Sequence, residues 1–468
     1  MNNELRSNFL GDRVTYKIPN EERAVVIGAS MAGLLTARVL AERYDKVIVL
    51  ERDELPTSVE NRRGVPQGLH THGLLAGGRE ALEQLFPGIS AECVSNGAIS
   101  GDILQESRWF MEGACHARFA SGLTGLLMTR PFLESVVRER VRRLANVEFR
   151  DNIAVTGLAA SPAKDRITGV TVGEEVLESS LVVDATGRGS RSPQWLEAMG
   201  YPKPEEERVE VGLRYTTRFF KRRQEDLDGD MAVIIPPTPS GKRGGVMLAQ
   251  EGGRWTVTLI SHFGPAAPAD LDGFVEFSRT LPAPYIHEVV RRVKPQGDAS
   301  STRFPASVRR HYERLKRFPQ GYLVTGDALS SFNPIYGQGM TVAALEAVAL
   351  KGCLAEGTTD LARRFFARAS KIVDIPWSMA VGNDLRMPET TGPRSAAVRM
   401  INAYIGKLHK AAHHDPAVAF AFHQVGNLLR PPSHILHPRV AARVFWGNLR
   451  SRALAPAVAG ALGSNLAQ

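Results

Sequence analysis

The sequence has 468 residues, 43% hydrophobic and 23% charged, a composition typical of a folded protein large enough for two domains. It shows no apolar run of the ~20 residues that span a bilayer and no secretory signal, and its three scattered cysteines argue against a disulfide framework or a zinc site, so we expect a cytoplasmic location. The net charge of +9 fits an anionic substrate, cofactor, carrier protein or membrane as partner, whereas nucleic acid is disfavoured because no dense basic run with aromatic residues is present.

A strand–turn–helix–strand pattern follows a polar extension, 1–22. Residues 24–27 predict a buried strand, a glycine-containing turn opens a helix, and 46–50 predict a second strand that ends in an acid. This pattern is typical of dinucleotide binding, because a helix N-terminus faces the pyrophosphate and the acid accepts hydrogen bonds from ribose. Ser30 replaces the usual middle glycine, and its hydroxyl can donate to the pyrophosphate. The predicted contacts are Gly28, Ser30, Met31, Ala32, Gly33 and Glu51.

A glycine- and proline-containing loop at 61–73 follows the second strand. Its position allows it to wrap a cofactor, with arginines offered to the phosphates. His70 and His72 have no third ligand nearby, so we predict hydrogen bonding within the loop and no metal site. The predicted cofactor contacts here are Arg52, Arg62, Arg63 and Gly64.

The middle of the chain alternates between sheet and helix patterns. Strands and turns are predicted over 98–127, and Thr129 is a suitable N-cap for a long basic helix. Residues 167–172 and 175–183 predict the strands of a hairpin, and 209–263 is rich in strand patterns. The second motif lies at 181–192, where a buried strand delivers Asp184 to a loop of small residues that contains Gly187.

The third motif begins with a strand at 321–325 that ends in Gly326 and Asp327. Asp327 is well placed to bind a polyol, and the glycine-rich turn at 333–339 opens a helix whose N–H groups can stabilise a negative ring. Beyond 352 the chain is predicted to be helical, and from 391 onward it is distinctly basic. Its positions 434–449 are consistent with a packed helix that has a solvated face or with a basic amphipathic helix on a membrane.

Together, the three motifs resemble those of class A FAD-dependent monooxygenases, which have the fold of para-hydroxybenzoate hydroxylase. The resemblance covers about 24–354 and implies an α/β fold: a Rossmann-like FAD-binding domain with an inserted mixed β-sheet substrate domain and a C-terminal helical region. We expect the FAD domain at 23–95, 128–205 and 305–355, the substrate domain at 96–127 and 206–304, and the helical region at 356–468. Further FAD contacts implied by the resemblance are Arg130, Asp184, Gly187, Gly326, Asp327, Pro334, Gly337, Gly339 and Met340.

The segment Asn333–Met340 is similar to the Pro-x-x-Gly-x-Gly-Met of squalene epoxidase, and with 62–67 and His70 it is similar to bacterial polyether epoxidases. This resemblance implies a monooxygenase that epoxidises a C=C bond in a hydrophobic polyketide or terpenoid, with O2 and a C4a-hydroperoxyflavin. The sequence Asp184-Ala185 replaces the family's usual Asp-Gly. NAD(P)H is therefore expected as electron source either directly or through a partner flavin reductase, and an acyl carrier protein is an alternative partner for the basic C-terminus.

Other functions stay open at this point. An aromatic-ring hydroxylase would gain from a base, for which His70, Tyr215 and Tyr336 are the only candidates, so the catalytic residue is unassigned. A flavin-dependent reductase that saturates isoprenoid double bonds would use the same fold. An NAD-dependent dehydrogenase would use the first turn alone, and a flavin-binding module would have no activity. The Trp-x-Trp-x-Ile-Pro signature of tryptophan halogenases is absent, which argues against halogenation.

Overall fold

The computed structural model describes residues 22–449. Its strands are β1 (Arg23–Ile27), β2 (Lys46–Leu50), β3 (Ile99–Asp102), β4 (Ser107–Met111), β5 (Ala114–Cys115), β6 (Thr124–Leu127), β7 (Val147–Arg150), β8 (Val155–Ala160), β9 (Ile167–Val172), β10 (Glu175–Glu178), β11 (Leu181–Asp184), β12 (Glu206–Lys221), β13 (Ala232–Ile235), β14 (Arg243–Gln250), β15 (Arg254–His262), β16 (Pro295–Arg310), β17 (Tyr322–Val324) and β18 (Ser330–Ser331). Its helices are α1 (Met31–Leu40), α2 (Ala76–Leu85), α3 (Ile89–Ser95), α4 (Arg130–Arg142), α5 (Ser192–Ala198), α6 (Leu271–Arg279), α7 (Tyr285–Val290), α8 (Gly339–Ala355), α9 (Leu361–Asp384), α10 (Ala396–Ala412) and α11 (Pro416–Gly426).

A five-stranded parallel sheet in the order β17-β11-β1-β2-β7 carries all three sequence motifs. Its central strands are almost continuously apolar because helices cover both faces of such a sheet. Ile27 at the end of β1 pairs with Leu50 on one side and Asp184 on the other, and Asp184 pairs with Val324 of β17. The carboxyl ends of four strands therefore meet at one edge, where open α/β sheets bind ligands.

A second, eight-stranded mixed sheet in the order β18-β16-β12-β15-β14-β13-β4-β5 forms the other large layer. Its core contains fully buried aromatic side chains, among them Phe220, Trp255 and Phe274, and α6 and α7 pack against it. The predicted hairpin strand at 175–183 is two strands in the structure. β10 pairs with β9, and after a break at 179–180 β11 joins the parallel sheet.

The helices α9, α10 and α11, followed by a helical segment at 438–449, form the C-terminal region of the described chain. The predicted α/β fold, with a Rossmann-like sheet, a mixed sheet and C-terminal helices, is confirmed. No helix within 22–449 has the length and apolarity needed to cross a membrane. Nearly all of the predicted extension, 1–21, and the last part of the helical region, 450–468, lie outside the described residues. The exact domain division stays a prediction, and its boundary at 304 falls within β16.

Candidate cofactor site

The first motif forms a turn in which two glycines permit close backbone approach. A Cβ atom on Gly33 would lie 1.8 Å from the carbonyl oxygen of Gly28, so only glycine fits where α1 passes the end of β1. Gly28 has a φ of +102°, and a Cβ atom there would lie 2.7 Å from the carbonyl oxygen of Ala185. The first turn is thus packed directly against the second motif.

The third motif completes the same site. A Cβ atom on Gly326, whose φ is +64°, would lie 2.6 Å from Cβ of Ala32 in the first turn of α1. Gly187 and Gly339 also lie beside Asp327, since their Cβ positions would be 3.9 Å from its Cβ and 3.8 Å from its Oδ1, respectively. Three stretches that are far apart in the sequence therefore form one backbone-lined cradle.

Asp327 is a half-buried carboxylate in this cradle, and it accepts no hydrogen bond from any residue within 22–449. Burial raises the pKa of Asp327, while the charges of Arg130 and Arg188 act in the opposite direction. An unpartnered acceptor among backbone surfaces suits a ligand that brings hydroxyl groups.

A buried ionic network lies beside the first turn. Oε2 of Glu51 accepts a hydrogen bond from the N–H of Ala29 at 2.9 Å and pairs with Nη1 of Arg62 at 2.9 Å. Nε of Arg62 donates to Oε1 of Glu134 at 3.1 Å, and Nη2 of Arg62 is buried without a partner within the described chain. Arg62 therefore joins the predicted ribose acid to the basic helix α4.

Ser30 belongs to this network. Its hydroxyl donates to Oε2 of Glu134 at 2.9 Å and accepts from Nη2 of Arg130 at 2.8 Å. Burial acts to raise the pKa of Glu134, but the neighbouring arginines 130 and 62 hold it below its ordinary value. The sequence analysis did not single out Glu134. Its position four residues after Arg130 on the predicted helix could have indicated an ion pair between the two.

Asp184 is fully buried and serves its own loop. Its Oδ1 accepts from the N–H of Thr186 at 2.8 Å and its Oδ2 from the hydroxyl of Ser190 at 2.6 Å, and the hydroxyl of Ser192 also donates to Oδ2. These bonds fix the turn in which Gly187 lies. Arg188 in the same turn lies over the ring of Phe304, with its guanidinium carbon 4.4 Å from the ring centre.

A second buried acid, Glu346 on α8, supports the third motif from beneath. Its Oε2 accepts from the N–H of Gly326 and from the hydroxyl of Thr325, both at 2.7 Å, whereas Oε1 has no partner within the described chain. Burial raises the pKa of Glu346 to about 7. The signal for this residue was a lone acid in the apolar run of the predicted helix.

The glycine-rich loop before α8 is held by the end of α9. Tyr336 donates to Oδ1 of Asp384 at 2.7 Å, and Asn333 donates to the same oxygen at 2.8 Å. Asn383 donates to the hydroxyl oxygen of Tyr336 at 2.8 Å. Burial raises the pKa of Asp384 to about 7. Asn383 and Asp384 lie beyond the motifs, and no local pattern singled them out.

His70 lies on the mixed sheet. Its Nδ1 is 2.9 Å from the hydroxyl of Thr217 and its Nε2 is 2.7 Å from that of Thr302, and the Tyr215 ring meets it edge-on at 4.5 Å between centroids. Burial lowers the pKa of His70 to about 4 and raises that of Tyr215 to about 12, so both side chains are neutral at pH 7. Neither His70 nor Tyr336 has a free polar atom poised as a base.

The remaining predicted contacts differ in exposure. The side chain of Arg52 is 71% exposed and Arg63 is exposed, whereas a Cβ atom on Gly64 would lie 1.9 Å from Oδ2 of Asp53. Pro334 is exposed, Gly337 has a φ of +67°, and Met340 is buried in the first turn of α8. Arg52 and Arg63 therefore stay predicted contacts with exposed side chains, whereas Gly64 and Met340 are fixed by packing.

The chain is 32% identical to protein Rv3254 of Mycobacterium tuberculosis over 462 residues, which covers 93% of this chain and 96% of that protein. It is 27% identical to kynurenine 3-monooxygenase of Salinispora tropica over 371 residues, 71% of this chain and 72% of that enzyme. No family model matches the sequence.

Among solved structures, PqsL of Pseudomonas aeruginosa, described as a probable FAD-dependent monooxygenase, superposes with a TM-score of 0.60. The match covers 78% of this chain and 98% of PqsL at 17% sequence identity. The chain therefore shares its fold with PqsL.

Proposed function

The chain belongs to the protein family of Rv3254 from Mycobacterium tuberculosis, and we propose that it transfers one oxygen atom from O2 to a hydrophobic small molecule as an FAD-dependent monooxygenase. The observation that carries this proposal is the cradle at the carboxyl edge of the parallel sheet, where Gly28 and Gly326 let the three motifs pack together and Gly187 and Gly339 lie beside Asp327. NAD(P)H is the source of electrons.

The residues of the cradle fit FAD. The N–H groups at the start of α1 suit its pyrophosphate, Glu51 suits the adenosine ribose, and Asp327 suits the ribityl hydroxyls. The hydroxyl of Ser30, predicted to donate to the pyrophosphate, instead donates to Glu134 and so positions the first turn. The unpartnered Nη2 of Arg62 suits a phosphate or adenine acceptor. Asp184 and Glu346 do not contact the cofactor in this proposal; they accept hydrogen bonds that fix the turns that contain Gly187 and Gly326.

Bound and reduced FAD would supply the two electrons that activate O2, of which one oxygen atom goes to the substrate and the other leaves as water. The chain contributes binding, orientation and exclusion of water. The N-terminus of α8, opened by Gly339 and Met340, offers N–H groups and a positive dipole end to the electron-rich ring.

We propose that the substrate meets the face of the mixed sheet on which the 70–73 loop lies. Thr217 and Thr258 are paired on this face and contact His70 and Thr71. By strand register, Tyr215 and Ile260 share that face, as do Val246 and Leu248. These side chains are apolar or neutral, which favours an uncharged, hydrophobic substrate.

Epoxidation of a C=C bond in a polyketide or terpenoid is the reaction that this site supports best. An alkene attacks an electrophilic oxygen without losing a proton, so no base is needed, and His70 and Tyr336 have their polar atoms engaged with protein partners. Aromatic hydroxylation is the second candidate, favoured by the similarity to kynurenine 3-monooxygenase.

The test is incorporation of oxygen-18 from labelled O2. Purified protein is reconstituted with FAD, supplied with NADPH or with a flavin reductase, and given panels of alkenes and phenols. One labelled oxygen atom in an epoxide is expected, and one in a phenol would favour the second candidate. A product that has gained hydrogen and no label would overturn oxygen transfer.

A further inference from the structure

More than half of the exposed large apolar side chains of the described residues lie in the last part of the described sequence. Nine such side chains are exposed within residues 22–449, and five of these lie between 400 and 449: Met400, Leu436, Phe445, Trp446 and Leu449. Phe445 is 60% and Trp446 is 61% exposed. Single exposed apolar residues are ordinary, but a group that includes adjacent aromatic residues marks a surface for interaction.

The helical segment at 438–449 has two apolar sides. Val444 is 2% exposed and belongs to the core shared with α10 and α11, and a Cβ atom on Gly447 would lie 3.1 Å from Cβ of Ala411. Phe445, Trp446 and Leu449 follow one another at helical spacing on the outer side. We call these three residues the outer face. No residue within 22–449 covers the outer face, although the helix itself packs on α10 and α11.

The surroundings of the outer face are basic. From Thr391 to the end of the chain, Asp415 is the one acid in the sequence, and it pairs with Arg443 at 2.9 Å. The exposed side chains of Arg439, Lys407 and Lys410 form no ion pair within the described chain. Asn448 donates to the carbonyl of Lys407 at 2.8 Å, which brings the last described turn beside these lysines on α10.

We propose that the outer face docks on the surface of an anionic lipid bilayer, with the Phe445 and Trp446 rings in the interface and the lysines and arginines against the headgroups. Aromatic residues flanked by cations are the composition of helices that lie in a membrane interface. A symmetric dimer through this face would bring two basic surfaces together, which charge repulsion opposes. The helix lies on the bilayer and does not cross it.

The full chain loaded with FAD is tested by sedimentation with vesicles of phosphatidylcholine alone and vesicles that also contain phosphatidylglycerol. Binding is expected to the anionic vesicles and is expected to weaken at high salt. The double variant Phe445→Ser/Trp446→Ser should bind the anionic vesicles at least about tenfold more weakly than the parent. The matched control is Val94→Ser/Val176→Ser, which removes two exposed apolar side chains elsewhere and should bind like the parent.

Tryptophan fluorescence gives a second readout. The chain has five tryptophans. Trp446 is exposed, and the other four are buried or half-buried. A blue shift on adding anionic vesicles is expected, and Trp446→Phe should abolish it. Equal binding to both vesicle types, no binding, or a dimer in solution that the double serine variant dissociates would each overturn the proposal.

Discussion

The hydroxyl of Tyr336 donates a hydrogen bond of 2.7 Å to Oδ1 of Asp384, which ties the glycine-rich loop before α8 to a helix 48 residues further along the chain. Asn333 shares the same acceptor, and Oδ2 of Asp384 is buried without a partner in the described chain. The Tyr336 hydroxyl therefore fixes the loop and is unavailable as a base.

This buried acid should make stability depend on pH. Burial raises the pKa of Asp384 to about 7 from an ordinary 3.8, so the unfolded chain loses the proton first as pH rises. Its contribution to stability should fall between about pH 4 and pH 7 by an amount on the order of 4 kcal/mol. Asp384→Asn should flatten that part of a plot of melting temperature against pH.

Two variants separate this effect from others. Tyr336→Phe removes a hydrogen bond that lowers the pKa of Asp384, so that pKa should rise further. The stability of this variant should therefore continue to decline to higher pH than that of the parent. Glu346, whose pKa is also about 7, contributes a similar decline, and Glu346→Gln should remove that share independently. An unchanged profile in Asp384→Asn would contradict the assignment.

Asp327→Ala should lose FAD affinity while the fold survives. The carboxylate has no protein partner in the described chain, so its removal leaves no protein group unsatisfied, but it deletes the acceptor for the ribityl hydroxyls. Hydrogen bonds to a charged group contribute about 1.5–3 kcal/mol, or roughly 10–100-fold in the dissociation constant. Flavin fluorescence titration measures the affinity, and circular dichroism checks the fold. The exposed Asp298→Ala is the control, and wild-type affinity in Asp327→Ala would refute this role.

Gly33→Ala should destabilise the protein and abolish FAD binding together. The added carbon would lie 1.8 Å from the carbonyl oxygen of Gly28, so β1 and α1 must separate. Overpacking typically costs about 1–3 kcal/mol, and because the clash here is with backbone, we expect the upper end of that range. Gly189→Ala has open space around its Cβ position and should change the melting temperature little. Equal melting temperatures for the two variants would show that the first turn tolerates a side chain.

Much of this site was predictable because each motif is local. A strand, a turn and a helix follow one another within about 15–30 residues, and their glycines and acids can be recognised without knowledge of the rest of the fold. Gly28, Asp184 and Asp327 lie at the carboxyl ends of strands of the parallel sheet, and those ends meet at one edge. What the sequence could not provide is the partner of each acid. Glu134 is 104 residues from Ser30, and Asp384 is 51 residues from Asn333.

The outer side of the last helix shows the same limit. Its sequence favoured a packed helix with a solvated face over a basic amphipathic helix on a membrane, but it did not show which side would be packed. The packing of Val444 and the exposure of Trp446 depend on where α10 and α11 lie. The split of 175–183 into β10 and β11 likewise depends on which sheet offers an edge.

Arg62→Met should be strongly destabilising, unlike Arg63→Met. The Arg62 side chain is 7% exposed and bridges Glu51 and Glu134, so its loss leaves Glu51 buried without an arginine partner. Breaking a buried pair in this way costs about 3–5 kcal/mol. The side chain of Arg63 is exposed, and its replacement should change stability by less than about 0.5 kcal/mol. Urea unfolding with and without FAD measures both effects, and a small change in Arg62→Met would mean that the carboxylates find other partners.

His70→Asn distinguishes the two candidate reactions. A general base contributes about 100–10,000-fold to the rate, whereas a residue that only orients the 70–73 loop contributes less. Because burial lowers the pKa of His70 to about 4, His70 is neutral from about pH 5 upward and should impose no change on the rate between pH 6 and pH 8. With an alkene substrate, His70→Asn should retain oxygen transfer within about tenfold of the parent. Thr302→Val, which removes one of the ring's two hydrogen-bond partners, should have an effect of similar size. The opposite outcome would be a rate of oxygen transfer that falls more than a hundredfold in His70→Asn but not in Thr302→Val, with loss of the decline in rate at acidic pH. That result would assign His70 as a base and favour hydroxylation.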